Sequence, residues 1–398
     1  MSHSKKYRKL FVICSGLLIA LCAPASILVM AQDASTSVVV SPSIRMSGNA
    51  QAGLVGLIPG QIRHAYGFDA IANQGAGQTI ALIEAFGDPK IESDLATFNQ
   101  AFNLPPCTTG NGCFQQFSLN GKQLGTGQIW SLETALDVEW AHAIAPQANI
   151  MLVQAPSDTL SDMLQAVDFA VSHGATVVSM SWGGLEFAGE NVLDNHFMAG
   201  NVSFVASAGD FGTGVLYPAV SPYVLSVGGT TLTILDSQGT YAGEVAWSGS
   251  GGGQAIFEPE PAYQSNFPIP YDQSGVRGNP DVAYNADPNN GFAVYTTVSF
   301  QGFSGWIQVG GTSAGAPQWA ALVAIAKSMG FSPGLAGTNQ AIYDAAAKSN
   351  YTQNYNDTST GSNGTCGVLC TAAKGYDYVT GIGSPRANNL INALVTGR

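Results

Sequence analysis

The sequence predicts an α/β protein: a doubly wound, mainly parallel sheet with helices on both faces, in a single large domain. Two observations lead there. Short apolar runs alternate with helical patterns along the chain, and residues 54–398 are enough to bury one large core. In chain order, apolar strands are expected at 80–83, 150–153, 177–180, 203–206 and 224–227, with helical patterns around 91–102, 131–142, 160–173 and 190–199. The run Thr176-Val177-Val178-Ser179-Met180-Ser181 reads as a strand by its β-branched content. Residues 131–142 carry leucine, alanine and valine at helical spacing, and 318–326 have the length and alanine content of a buried helix. In such a sheet, functional groups gather at strand ends. The glycine run Gly249-Ser250-Gly251-Gly252-Gly253 lacks the Gly-Lys-Ser/Thr ending of a phosphate cradle and reads as a loop beside a cleft.

Residues 1–31 read as a signal peptide. Lys5, Lys6, Arg8 and Lys9 give a basic start, an apolar run from 10 to 30 is broken by Pro24, and Val29-Met30-Ala31 offers a small-residue site cut after Ala31. Pro24 and the Ala31 site oppose an uncleaved membrane anchor, and Leu21 opposes a lipoprotein at Cys22. Residues 32–53, polar and Ser-rich, are expected to be a flexible lead-in to the domain. A secreted or extracytoplasmic protein follows, with no stable membrane anchor once the signal is cut, and a monomer is expected. Beyond residue 31 there remain 10 basic against 26 acidic residues, a formal charge of −16. That balance opposes nucleic acid, which wants a basic face, and leaves little self-repulsion when carboxyls are protonated. With Cys14 and Cys22 in the signal, Cys107 with Cys113 and Cys366 with Cys370 read as two short-loop disulfides. Neither pair has the further nearby ligands of a metal site.

The most telling stretch is Gly311-Thr312-Ser313-Ala314-Gly315-Ala316-Pro317, where a serine among small residues opens a helix. There the helix N-terminus favours developing negative charge and the glycines admit a substrate backbone. Taken alone, such a serine is also what an N-cap looks like. A nucleophile needs a base, and none of His64, His142, His173 and His196 stands in a catalytic sequence setting, so each is assigned a structural role. Glu133 and Asp137, four apart in a helix, lie on one face about one turn from each other. Two carboxyls so placed can share a proton, with one pKa raised, or simply form a solvated acidic face.

The motifs in their order resemble the sedolisins, the serine-carboxyl peptidases: Glu133-x-x-x-Asp137 and Ala145-Pro146, Ser179-Met180-Ser181-Trp182-Gly183, Ala206-Ser207-Ala208-Gly209-Asp210, Asn279-Pro280-Asp281-Val282, Gly311-Thr312-Ser313-Ala314, and Gly375-Tyr376-Asp377-Tyr378-Val379-Thr380-Gly381. The resemblance runs from about residue 57 to 398 and implies a subtilisin-like fold. It implies Ser313 as nucleophile, Glu133 as general base and acid, Asp137 as the residue that orients Glu133 and shares its proton, and Asp210 as the oxyanion-hole carboxyl. Glu84 and Trp182 would extend the network behind the triad. It also implies one structural Ca2+ site, with the Asp357 and Asp377 carboxylates and the carbonyls of Thr358, Ala373 and Gly375 as ligands, a donor set that suits a hard cation. The family's usual large amino-terminal prodomain is replaced here by the short lead-in alone, which puts autocatalytic activation in doubt.

The chemistry fits acid. An imidazole base would be protonated there, whereas glutamate still accepts a proton, and Asp210 can stabilise an oxyanion only while protonated and donating. The leading expectation is therefore a secreted, acid-active endopeptidase that hydrolyses protein or peptide substrates through an acyl-enzyme on Ser313. The alternatives are a tripeptidyl-peptidase, an esterase or acyl transferase using the same serine, and an exported non-catalytic binding protein on a peptidase fold.

Overall fold

The computed structural model describes residues 35–47, 53–121, 124–271, 275–333, 337–347 and 351–397; the expected signal peptide at 1–31 lies outside them. Strands β1 (Thr79–Ala85), β2 (Phe114–Ser118), β3 (Asn149–Ala155), β4 (Val177–Met180), β5 (Ser203–Ser207), β6 (Val224–Ile234), β7 (Tyr241–Ala246) and β8 (Val282–Asn285) form one eight-stranded sheet. Its order is β2-β3-β1-β4-β5-β6-β7, with β8 also paired to β6. Every pairing is parallel except β6 with β7.

Alternation along β1 shows why the sheet is covered twice. Ile80 and Leu82 face one core, shared with helices α1 (Ile91–Phe102), α2 (Gln128–Ile144) and α4 (Gly315–Ser328). Ala81 and Ile83 face the other, shared with helix α3 (Leu160–Ser172). Helix α3 starts where the Thr159 side chain accepts from the Asp162 N–H. Helix α2 is buried at every position from Trp130 to Ile144. Its Glu133 and Asp137 are therefore not a solvated face.

All five expected strands belong to this sheet. Three of the four helical patterns are α-helices, whereas the fourth is a 3₁₀ helix, Glu190–Phe197. That segment carries Asn191, Asp194 and Asn195, whose side chains compete with helical backbone bonds. The antiparallel hairpin of Phe292–Phe300 and Phe303–Gly310 packs on α2.

The largest departure concerns the lead-in. Residues 35–47, expected to be flexible, are held across the molecule. Ser41–Pro42 pairs antiparallel with the strand Trp182–Leu185, and Arg45–Met46 pairs antiparallel with Phe303–Gly310. Val40, Ser43 and Ile44 are buried, so the apolar residues scattered among the serines anchor the segment.

Disulfides join Cys107 to Cys113 and Cys366 to Cys370. His142 approaches the first pair, but both sulfurs are already bonded and no thiolate is left for a metal. Among the described residues no helix is long and apolar enough to cross a membrane.

Candidate active site

Three strand ends and one helix start meet at the site. Ser181 follows β4 directly, Asp210 lies in the loop after β5, Glu84 stands near the end of β1, and Ser313 sits in a 3₁₀ turn, Thr312–Ala314, that leads into α4. Gly311 adopts φ +102°, a conformation open to glycine. A Cβ there would stand 2.2 Å from the Ser43 carbonyl oxygen and 2.4 Å from Asp210 Oδ2. Glycine is thus required twice over, and those two oxygens face the same small space.

The carboxyls Glu84, Glu133 and Asp137 are fully buried together. The Ser181 hydroxyl reaches both Asp137 oxygens, at 2.9 and 2.8 Å, whereas all four oxygens of Glu84 and Glu133 lack a well-formed hydrogen bond. Burial, followed by the neighbouring charge of Asp137, pushes Glu133 well above the usual carboxylate range, and the nearby Ser313 hydroxyl works the other way. Glu84 is raised by burial and by the charges of Asp137 and Glu133. Asp137 rises to about 7 through burial, held back by Ser181, Glu133 and Glu84. The sense of these couplings puts what charge there is on Asp137 and keeps protons on its two glutamate neighbours.

Asp210 is buried and raised to about 7, chiefly by loss of solvent. Its Oδ1 accepts from the Thr312 N–H at 2.8 Å and the Thr312 hydroxyl at 2.9 Å, while Oδ2 accepts no hydrogen bond and lies 3.9 Å from Arg45 Nε. Arg45 draws the pKa down and burial outweighs it, so a carboxyl fixed through one oxygen, with the other free of hydrogen bonds, is placed to carry a proton on that second oxygen. The Ser313 N–H points into the same space, and the Ser313 hydroxyl donates to the Ser181 carbonyl at 3.0 Å.

The histidines have other partners. His64 pairs with Asp69, His196 with Asp168, His142 with the Pro105 carbonyl and His173 with the Phe169 carbonyl. Trp182 is buried, but its indole N–H goes to the Ile83 carbonyl at 2.9 Å, so it meets the network through the backbone beside Glu84. Sequence reasoning did not assign Ser181, Thr312, Ser43 or Arg45 to the site; the Ser-Met-Ser-Trp-Gly motif contained Ser181 without revealing that it faces Asp137. A cavity of about 140 Å³, lined by residues 208–216 with Leu185 and Gly251, opens beside Asp210. A larger one, near Pro222 and Tyr263, shares no residue with the site.

Near the carboxyl end, Asp357 accepts from the Gly375 N–H at 3.1 Å, and Asp377 accepts from the N–H groups of Ala373, Val379 and Thr380. Both carboxylates are tied to one loop, and the Thr358 hydroxyl is buried there without a partner. Oxygen donors of this kind fit a hard cation.

Residues 132–368 match the family model described as the Subtilase family. The chain is 34% identical over 299 residues to kumamolisin from Bacillus sp. (strain MN-32), covering 66% of this chain and 50% of that protein. It is 28% identical over 354 residues to sedolisin from Pseudomonas sp. (strain 101), covering 79% and 57%. The chain thus spans about half the length of the curated relatives it matches. Pseudomonas sedolisin, a serine-carboxyl proteinase solved with two molecules of pseudo-iodotyrostatin, superposes with a TM-score of 0.71 at 25% identity, over 88% of this chain and 99% of that one.

Proposed function

The chain belongs to the subtilase family, in its sedolisin branch, and from that premise we propose that it is an exported serine-carboxyl endopeptidase working in acid. The observation that carries the reading is the buried meeting of Ser313, Glu133, Asp137 and Asp210, with no histidine among them. Ser313 Oγ attacks the scissile carbonyl as Glu133 takes its proton and hands the proton it already holds to the charged Asp137. Asp137, held by Ser181, carries the charge that orients and supports Glu133. The oxyanion forms between the Ser313 N–H and a protonated Asp210 Oδ2. Glu133 then gives its proton to the leaving amine, and water, activated in the same way, hydrolyses the acyl-enzyme. Acid activity follows from the raised Asp210 and from the shared proton of the carboxyl network.

Asp357 and Asp377, with the carbonyls of Thr358, Ala373 and Gly375, would hold a Ca2+ ion that pins the carboxyl-terminal loops. Export is supported by the sequence of residues 1–31 and by the two disulfides. The test is a digest of a denatured protein across acid pH, with cut sites read by mass spectrometry, against the Ser313→Ala variant. Fragments from the wild type and none from the variant are expected; equal fragmentation by a folded Ser313→Ala protein refutes the mechanism.

A further inference from the structure

Asp210 sits in a stretch of chain with little stiffness of its own. Gly209, Gly212 and Gly214 around it take φ of +111°, +78° and +129°, conformations that favour glycine, and Phe211 is 78% exposed. Arg45 reaches the Asp210 carbonyl at 3.1 Å, but the steadier grip on this backbone comes from the run Gly249-Ser250-Gly251-Gly252 laid against it. The Gly251 N–H donates to the Gly209 carbonyl at 2.8 Å and the Gly212 N–H to the Gly249 carbonyl at 2.9 Å, while Gly214 and Gly252 each donate to the other's carbonyl at 2.8 Å. A Cβ on Gly251 would run into the Ala208 carbonyl oxygen, so the two backbones meet too closely for a larger residue.

We infer that Ser250, the one side chain in that run, is a positioning residue for the reaction: it fixes the run that fixes Asp210, and so aims Asp210 Oδ2 at the oxyanion. The inference rests on the peptidase reading above. Ser250 is fully buried. Its hydroxyl accepts from the Gly229 N–H at 2.8 Å and donates to the Val379 carbonyl at 2.8 Å, which ties the run to β6 on one side and to the carboxyl-terminal loops on the other. Its carbonyl accepts from the side-chain amide of the buried Asn363 at 2.8 Å, and the Asn363 carbonyl accepts from the Thr213 N–H at 3.0 Å, back in the Asp210 loop.

Thr312 and Ser250 thus act on different parts of one residue. Thr312 holds the Oδ1 end of the carboxyl, whereas the glycine run holds the peptide before Asp210 and the one after Phe211. Swinging the backbone about a held Oδ1 would carry Oδ2 away from the Ser313 N–H, and a misplacement of about 1 Å can cost roughly 100-fold in rate. Removing the Ser250 hydroxyl leaves a donor on Gly229 and an acceptor on Val379 unpaired in the interior. Unpaired buried groups are costly, so the run shifts to let water reach them and loosens its hold on the Asp210 loop.

The experiment is a double-mutant cycle of Ser250→Ala and Asp210→Ala on turnover of a fluorogenic peptide at about pH 5, with the denaturant midpoint of each protein recorded beside it. Alone, Ser250→Ala should lower kcat roughly 10- to 100-fold with KM within about twofold of wild type. In the Asp210→Ala background it should cost less than about twofold, because no carboxyl remains to be misaimed. It should also move the alkaline limb of the kcat/KM profile toward acid, since water admitted to the loop undoes the burial that raises Asp210; a change that only lowered the amount of folded enzyme would leave that limb in place. Where Ser250→Ala does not fold, Asn363→Ala removes the donor to the Ser250 carbonyl and carries the same cycle with a smaller loss. Equal losses in the two backgrounds, or a folded Ser250→Ala protein with unchanged kcat, overturn the inference and leave the peptidase reading standing. An Asp210→Ala protein as active as wild type removes the oxyanion role itself, and this inference with it.

Discussion

Replacing Asp210 separates the proposed oxyanion hole from the rest of the machinery. Thr312 holds Oδ1 through its N–H and hydroxyl, at 2.8 and 2.9 Å, and Oδ2 faces the oxyanion space without a hydrogen bond, 3.9 Å from Arg45 Nε. Asp210→Asn preserves this layout: its Oδ1 keeps both Thr312 bonds and its amide donates where the protonated Oδ2 did. Asp210→Ala removes the donor and should cost roughly 100- to 1,000-fold in kcat/KM, the usual effect of losing one oxyanion-hole contact. The pH profile sharpens the test. With Asp210 raised to about 7, the carboxyl is almost wholly protonated at about pH 5 and only about a tenth protonated at about pH 8. The carboxyl network keeps its shared proton on Glu133, which burial and the charge of Asp137 hold well above the usual carboxylate range. Above neutrality, log kcat/KM for the wild type should therefore fall with a slope of about −1 as Asp210 loses its proton, and for Asp210→Asn this limb should flatten. The assay is turnover of a fluorogenic peptide from acid to mildly alkaline pH. An Asp210→Ala variant within about threefold of wild type, or an Asp210→Asn profile as steep as wild type, refutes the oxyanion role.

Three further outcomes follow. Ser313→Ala and Glu133→Ala should each abolish peptide turnover, and the double variant should be scarcely worse than either, since nucleophile and base act as a unit; multiplicative losses in steady-state kinetics would contradict that coupling. Folding stability should be greatest in acid, because Asp137 and Asp210 rise from ordinary values of 3.8 to about 7 in the folded state. The folded protein then binds more protons than the unfolded chain between those values, so this stabilisation is complete below about pH 4 and is lost as pH rises through about 7, on the order of 4 kcal/mol for Asp210; denaturant midpoints that climb from pH 4 to 7 would reverse the sign. Chelation should lower the melting temperature by mass action if Asp357 and Asp377 hold Ca2+, and superimposed melting curves together with no calorimetric binding would remove the ion from the account.

What the sequence revealed, and what it hid, divides along local and non-local physics. Strands β1, β3, β4, β5 and β6 were legible because each is an apolar run whose burial on both faces is written in its own residues. β2 was not: Phe114-Gln115-Gln116-Phe117 places exposed glutamines inside the run. Glu133 and Asp137 were legible as a pair through helical spacing, but spacing says nothing about what covers them. Only assembly puts α2 between the sheet, α4 and the Phe292–Gly310 hairpin and strips both carboxyls of water. Ser181 is of the same kind, since its bond to Asp137 joins residues 44 apart in sequence. The indole of Trp182 shows the converse, a residue at the expected place whose hydrogen bond goes to the backbone of Ile83.

The segment 35–47 makes the point most sharply. Its composition, Ser-Thr-Ser-Val-Val-Val-Ser-Pro-Ser-Ile-Arg-Met-Ser, promises a mobile lead-in, because serine-rich stretches bury little. The order it gains comes from two sheet edges that lie far along the chain, Trp182–Leu185 and Phe303–Gly310, each offering unpaired backbone groups to an extended strand. Those edges flank the candidate nucleophile. A cleft that binds extended peptide by backbone pairing will accept the protein's own chain whenever a stretch of suitable shape is tethered within reach, and tethering multiplies the effective concentration. The same edges that would recognise a substrate thus account for the order of this segment.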